Sequence, residues 1–360
     1  MFLSKLEATA VRNIPHLSIE PSPTINVFYG ENGSGKTSIL EALHLLALGR
    51  SFRTHLLSAI IQHNTPGCAV FGRLQSLNNN EFSVGIEKNR QGETRIRISG
   101  QDVNNISELA KHLPVLLINS NAAQILYGGP EIRRQFIHWG LFHVEQSFFR
   151  YWKDFQDALK QRNAALKQNH INLVKVWDEP LIMAGLQLDR LRSDYLLRLE
   201  PIFQQVIAQF DSLSHIRFHY SPGWDKQKSL HVVLRETLRR DLVLGYTSLG
   251  PQRFDIHFRA EKQPAKHLLS QGQQKSFACA LKLAQGILMQ VETERKSIYL
   301  IDDLPAELDQ THCEKLSEIL HQVSAQVFIT GIELGPLQGL VTRMDSRVFH
   351  VERGNVRLCN

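Results

Sequence analysis

What this 360-residue chain lacks narrows its class before any motif is read. It has four cysteines, Cys68, Cys279, Cys313 and Cys359, far apart and without metal-type spacing. That argues for reduced thiols, against a disulfide framework and against a zinc finger. No apolar stretch approaches the roughly 20 residues a membrane helix needs. Residues Met1 to Glu7 show no basic segment followed by an apolar one. Neither a membrane span nor a secretory leader is therefore expected, and the expected place is the cytoplasm. There is no internal repeat and no low-complexity tract, so solenoids and disordered arrays are excluded.

What is present describes a folded chain, with 42% hydrophobic and 21% charged residues and length enough for one large domain or two ordinary ones. The net charge of +6 is unevenly spread: residues 131–240 carry 17 Lys and Arg against 12 Asp and Glu. Two readings fit that excess, a solvated helical face or a surface that meets nucleic-acid phosphate.

The informative stretch is NVFYGENGSGKTSILEALHLLALGRSF, Asn26 to Phe52. Ile25 to Tyr29 reads as a buried strand, and the apolar residues after Thr37 recur at helical spacing. Between them, Gly30-Glu31-Asn32-Gly33-Ser34-Gly35-Lys36-Thr37 fits G-x-x-x-x-G-K-[ST] in full, a match that chance supplies in roughly one such chain in a hundred. In this arrangement the N–H groups of residues 33 to 37 hold phosphates, Lys36 neutralises them, and the Thr37 hydroxyl ligates Mg²⁺. Such a site needs an acid at the end of a neighbouring strand. SIYLIDD supplies Asp302, on the metal side, and Asp303, placed to orient an attacking water.

Along the chain, KLEATAVRNI, CAVFGRLQSL, EFSVGIEKN and TRIRISG read as strands, with turns at Asn78-Asn79-Asn80 and Gln91-Gly92. PVLLIN reads as a strand buried on both faces. Phe148, Trp152, Phe155, Leu159 and Leu166, then Leu188 to Phe210, form two heptad-like seams. They predict either an antiparallel helical arm, each leg about 30 to 45 Å long, or two helices packed on the main body. HIRFHY and FDIHFR read as strands, Lys228 to Asp241 as a polar helix, and Gln271 to Glu292 as a long one. The expected division is an ATPase-type head part at 1–115, a helical arm at 116–214, and a second head part at 215–360.

LLSQGQQKS (Leu268 to Ser276) opens the long helix, and AELD (Ala306 to Asp309) follows the acidic strand. In that order the four motifs resemble the head of ABC-type ATPases. The implied fold is α/β, a phosphate-loop head with a mixed sheet, an antiparallel β subdomain and an inserted helical lobe. Ser270, Gly272 and Gln273 would then cap, in trans, the ATP held by a second copy. Only 232 residues separate Thr37 from Ser270, too few for the long arm of an SMC chromosome ATPase. VRNI, GENGSGKTSILEALHLLALGRSFRT, ILYGGPEIRRQFI, LGYTSLGPQRFDI and LIDDLPAELD resemble, essentially end to end, the bacterial RecF family of recombination-repair proteins. The resemblance implies an ATP-dependent homodimer with Mg²⁺ and weak, DNA-stimulated ATPase activity, acting at the nucleoid. It would clamp double-stranded DNA near gaps and single-to-double-strand junctions, and help RecR and RecO load RecA. Charge clustering nominates Arg133, Arg134, Lys153, Lys160, Arg162, Lys167, Arg190 and Arg192 as DNA contacts. The rival readings are a soluble ABC-type subunit serving another partner, and a chromosome-bridging head. The chain departs from the family pattern at Ser120-Asn121, where a Pro-acid pair is usual. It departs at His138, where an acid is common, and at Gln252 and Phe254, where the family has His and Asp. Thr330-Gly331 stands where transporters carry a switch histidine.

Overall fold

A computed structural model describes the chain except for residues 76–79, 211, 212, 214, 344 and 360, and gives the backbone alone at 306, 307, 336, 342 and 343. Asn78 and Asn79 of the expected turn thus lie outside the described residues. Two compact units are present, one made of Met1–Ala122 with Ala278–Asn360 and the other of Ala123–Phe277.

In the first unit, six strands run in the order 355–358, 346–352, 25–29, 326–331, 298–301, 115–118. All pairings are parallel except the one between the two C-terminal strands. Ile298–Ile301 and Gln326–Gly331 are buried at every position, as strands covered on both faces must be. An antiparallel sheet of six strands runs from the edge strand Ile14–Ile19, beside Phe2–Val11, to Gln101–Val103 at the other edge. The helix α1, Lys36–Leu48, shares one apolar cluster with both sheets, with Leu40, Leu46 and Ala47 against Leu3, Val84, Phe28 and Phe328. It is buried on nearly every side because it is a core helix, and that fixes its N-terminus relative to the parallel strands.

In the second unit, α2 (Phe148–Lys167) and α3 (Ile171–Phe210) are antiparallel legs. The 40-residue α3 is about 60 Å long. The turn between them is only Gln168–His170, and α3 runs on through Pro180 and Pro201. The heptad seam is real: Leu188, Tyr195, Leu199, Val206 and Phe210 are all buried. The helix α4, Leu230–Leu244, begins at Ser229, whose hydroxyl accepts the N–H of Val232. Strands Ile216–Ser221, Asp255–Ala260 and Gln263–Pro264 form a separate antiparallel sheet. Phe218 and Phe258 of that sheet pack against Phe203 of α3 and against Phe277. The expected return to the head at 215 is therefore corrected: the chain returns only at 278, within α5 (Gln271–Thr293), because this small sheet buries its aromatics on the helical lobe.

Among the described residues no helix is long and apolar enough to cross a membrane. The four cysteines are free thiols, three of them buried.

Candidate nucleotide and nucleic-acid sites

Parallel strands leave their carboxyl ends along one edge, where ligands of α/β sheets collect. The register here pairs Gly331 with Tyr29 and Ile301 with Ile329, so Gly30, Asp302 and Thr330 emerge side by side. Gly30 has φ +151°, and a Cβ there would strike the Val351 carbonyl, so only glycine fits. Gly35, at φ +121°, turns the chain into α1. That helix start has no side-chain cap and no acid in its first turn. By contrast, Ser229, Asn105 and Asp309 each cap the helix that follows them. Thirteen aligned peptide dipoles thus end in bare N–H groups, a ready anion site. The buried Ser34 hydroxyl also has no hydrogen-bond partner. The donor set fits a polyphosphate.

The acids converge on the same place. Asp302 Oδ1 accepts from the Thr37 hydroxyl at 2.9 Å and from the Thr330 hydroxyl at 2.8 Å. The Asp302 N–H donates to the Ile118 carbonyl, extending the strand pairing to this residue. Burial raises the Asp302 carboxyl above its ordinary value, opposed by those two hydroxyls. Asp303 adopts the left-handed conformation, φ 54°, and its N–H donates to Thr330 Oγ1 at 2.7 Å. Left-handed backbone at a non-glycine residue costs of order 1 kcal/mol or more and clusters at working sites. Lys36 Nζ donates to the Gly30 and Glu31 carbonyls at 2.6 and 2.8 Å. Burial lowers its ammonium, while Asp303 and Asp302 hold it up. A cavity of about 520 Å³ opens over Lys36, Thr37 and Asp303.

Four more residues lining that cavity escaped the sequence reading: Arg12, Asn13, Arg53 and His63. The Asn13 amide donates to the Gly33 carbonyl and its Oδ1 accepts from Ser38, bracing the loop. Arg12 makes a two-pronged pair with Glu41, at 2.8 and 2.7 Å. Glu41 is fully buried and also accepts from the Ser51 hydroxyl. The clue was a glutamate amid the apolar residues of this helix (Ile39, Leu40, Ala42, Leu43), since a buried carboxylate must find a cation.

In α5, Ser270 and Gln273 form a reciprocal capping box: the Ser270 N–H donates to Gln273 Oε1 at 3.0 Å, and the Gln273 N–H donates to Ser270 Oγ at 3.3 Å. Gln273 thus holds Ser270 in place, and the exposed serine keeps its own proton for an outside acceptor. A Cβ on Gly272 would meet nothing within 4 Å, so the start of α5 is open. Leu308 is buried, and Asp309 caps the next helix through the N–H of His312.

The charge-chosen DNA contacts divide. Lys153, Lys160, Lys167 and Arg190 are exposed, with Arg190 3.7 Å from Asp194. Arg134 is half-buried and donates to Glu131 and the Phe254 carbonyl. Arg133, Arg162 and Arg192 are corrected, being buried and already engaged by internal partners. Arg133 grips Asp255 with two hydrogen bonds at 2.7 and 2.8 Å. Arg162 joins Asp178, Asp241 and Thr247. Arg192 donates to the Pro251 carbonyl at 2.8 Å, lies 3.8 Å from the centre of the Phe254 ring, and has Nη2 3.4 Å from His138 Nε2. His138 and Phe254, two of the sequence departures, therefore flank one arginine. Burial and the neighbouring Arg192 push the His138 imidazole down to about 3, so it stays neutral. Gln252 donates to the Thr247 and Leu249 carbonyls, while Ser120 and Asn121 are exposed.

Replacing Arg162 by methionine is expected to leave Asp241, which has no exposed surface, without its cation. The cost should be about 3–5 kcal/mol in urea unfolding, with nucleic-acid affinity unchanged in the folded fraction. A loss of affinity with wild-type stability would reverse this assignment.

Comparison with known proteins supplies the remaining observations. The RecF/RecN/SMC N terminal domain family profile matches residues 2–356. The DNA replication and repair protein RecF of Azotobacter vinelandii is 45% identical over 359 residues, covering 99% of this chain and 98% of that one. The RecF of Pseudomonas aeruginosa is 43% identical, with 99% and 97% covered. A solved structure described as the recombination mediator protein RecF-ATP in the RecFOR pathway superposes with a TM-score of 0.86 at 23% identity, covering 100% of this chain and 98% of that one. The Smc head of Pyrococcus furiosus, bound to a ScpA domain, reaches 0.60 at 14% identity, with 99% and 96% covered.

Proposed function

The chain belongs to the bacterial RecF family, and from that membership we propose that it is an ATP-switched DNA-binding protein of replication-linked recombinational repair. The observation that carries this reading is the uncapped start of α1 facing the Thr37–Asp302–Thr330 hydrogen-bond chain across one sheet edge. The residues present fit ATP and Mg²⁺. The N–H groups of residues 33 to 37 and Lys36 would bind the β- and γ-phosphates. Thr37 and Asp302 would hold Mg²⁺, which when bound supplies charge neutralisation between phosphate oxygens. Asp303, at the rim of the cavity, would orient the attacking water and accept its proton. Ser270 and the open start of α5 would cap the γ-phosphate held by a second copy, so that ATP itself pairs two protomers and slow hydrolysis separates them.

In this reading the paired protomers close on duplex DNA near single-strand gaps and act with RecR and RecO to load RecA. Lys153, Lys160, Lys167 and Arg190 offer phosphate contacts without base selectivity. Gapped-duplex binding measured with and without ATP tests the proposal. ATP should tighten binding, and affinity should fall about a hundredfold between 50 and 200 mM salt for some four neutralised phosphates. Equal affinity with and without ATP, or no salt dependence, would defeat it.

A further inference from the structure

We infer that α4 presents a second nucleic-acid surface, an arginine row with a neighbouring aromatic, that meets the sugar-phosphate backbone of duplex DNA. This rests on the DNA-binding reading above and says where on the helical lobe the backbone lies. Arg235, Arg239 and Val243 stand at i, i+4 and i+8 on the solvent side of α4, and Val243 is 87% exposed. Leu230, Leu234 and Asp241 face inward, while Leu238 and Leu242 pack on Ala165, Leu166 and Val174 at the tip of the two long helices. Four residues of helix advance about 6 Å, so Arg235 and Arg239 are in step along one line. Arg240 flanks them, also exposed.

Surface cations usually sit among compensating acids, and here the acids of α4 are already taken. Glu236 pairs with Lys228 at 2.7 Å. Asp241 is buried against Arg162, with its other oxygen accepting the Ser248 N–H at 3.0 Å. Among the described residues Arg235, Arg239 and Arg240 make no ion pair. Glu236 answers to Lys228, so the three arginines leave this face net positive.

Further cations stand at the end of the helix. The Arg253 guanidinium lies 5.4 Å from the centre of the half-exposed Tyr246 ring. Lys167 sits beside Gly245, where an added Cβ would lie 3.2 Å from its Cγ. Arginines and a tyrosine hydroxyl are donors to phosphate oxygens, and the backbone of duplex DNA presents those oxygens at regular spacing. The buried Arg162, mistaken in the sequence for a contact, here serves the surface indirectly by silencing Asp241.

The test uses the full chain with ATP, Mg²⁺ and a gapped duplex, comparing wild type with the triple variant Arg235→Gln, Arg239→Gln, Arg240→Gln. Losing three phosphate contacts should lower the slope of log affinity against log salt by about 3 and weaken binding about a hundredfold at 150 mM salt. ATP affinity, read in parallel, should stay at the wild-type value and certifies the fold. The control Arg95→Gln, Arg97→Gln removes cations already paired with Asp102 and should leave the slope unchanged. Wild-type slope and affinity in the triple variant would overturn this inference while leaving the DNA-binding reading intact. Failure of the wild type itself to bind DNA would overturn both. Loss of poly-glutamate binding with duplex binding intact would assign the row to an acidic protein and overturn it equally.

Discussion

Lys36→Ala is expected to yield a folded chain that no longer holds ATP and no longer pairs with a second copy when ATP is added. The Lys36 ammonium is fixed by two loop carbonyls and is the cation of the loop itself, facing Asp302 and Asp303. Without it, a triphosphate would enter a cavity whose nearest acids repel it. Charge-assisted hydrogen bonds contribute about 1.5–3 kcal/mol each, so losing two weakens ATP binding by at least about a hundredfold. Folding should survive, because burial already penalises the ammonium and the alanine keeps helix propensity at the start of α1. Titration with a fluorescent ATP analogue and gel filtration with ATP report the two effects. Undiminished affinity would remove the loop as the nucleotide site, and an ATP-driven dimer in the variant would remove nucleotide as the bridge between protomers.

The second large effect concerns hydrolysis alone. Asp303→Asn keeps the left-handed backbone, which asparagine tolerates, and keeps the N–H donated to Thr330. What it removes is the carboxylate that would take a proton from water. Turnover should fall by about 10²–10⁴-fold while ATP affinity stays within twofold. The ATP-bound pair, and with it the DNA complex, should persist correspondingly longer. Single-turnover hydrolysis beside the lifetime of the DNA complex separates the roles. Wild-type turnover would exclude Asp303 as the water-positioning group and shift attention to Arg53 and His63 on the same cavity wall.

The departures from family pattern show how far residue lists alone can mislead. His138 and Phe254 are separated by more than a hundred residues, yet both touch Arg192. A ring face and the Pro251 carbonyl hold that one cation. No spacing rule announces such a pair.

Read alone, the chain marks the phosphate loop, the acidic strand, the start of the long helix and two helical seams, and leaves open whether those helices pair as an arm or pack on the main body. Each depends on backbone needs met within a few residues: glycine where φ is positive, a bare helix terminus, an apolar period. Burial of charge is settled otherwise. Arg133 finds Asp255 and Arg162 finds Asp241 across 122 and 79 residues, and Arg12 finds Glu41 on another element. The partner of a buried cation is chosen by packing, so tertiary structure decided which arginines hold the molecule together and which face outward. The border at 278 has the same cause. The short strands after 215 are strands in any context, and only the aromatics they bury on the helical lobe assign them to it.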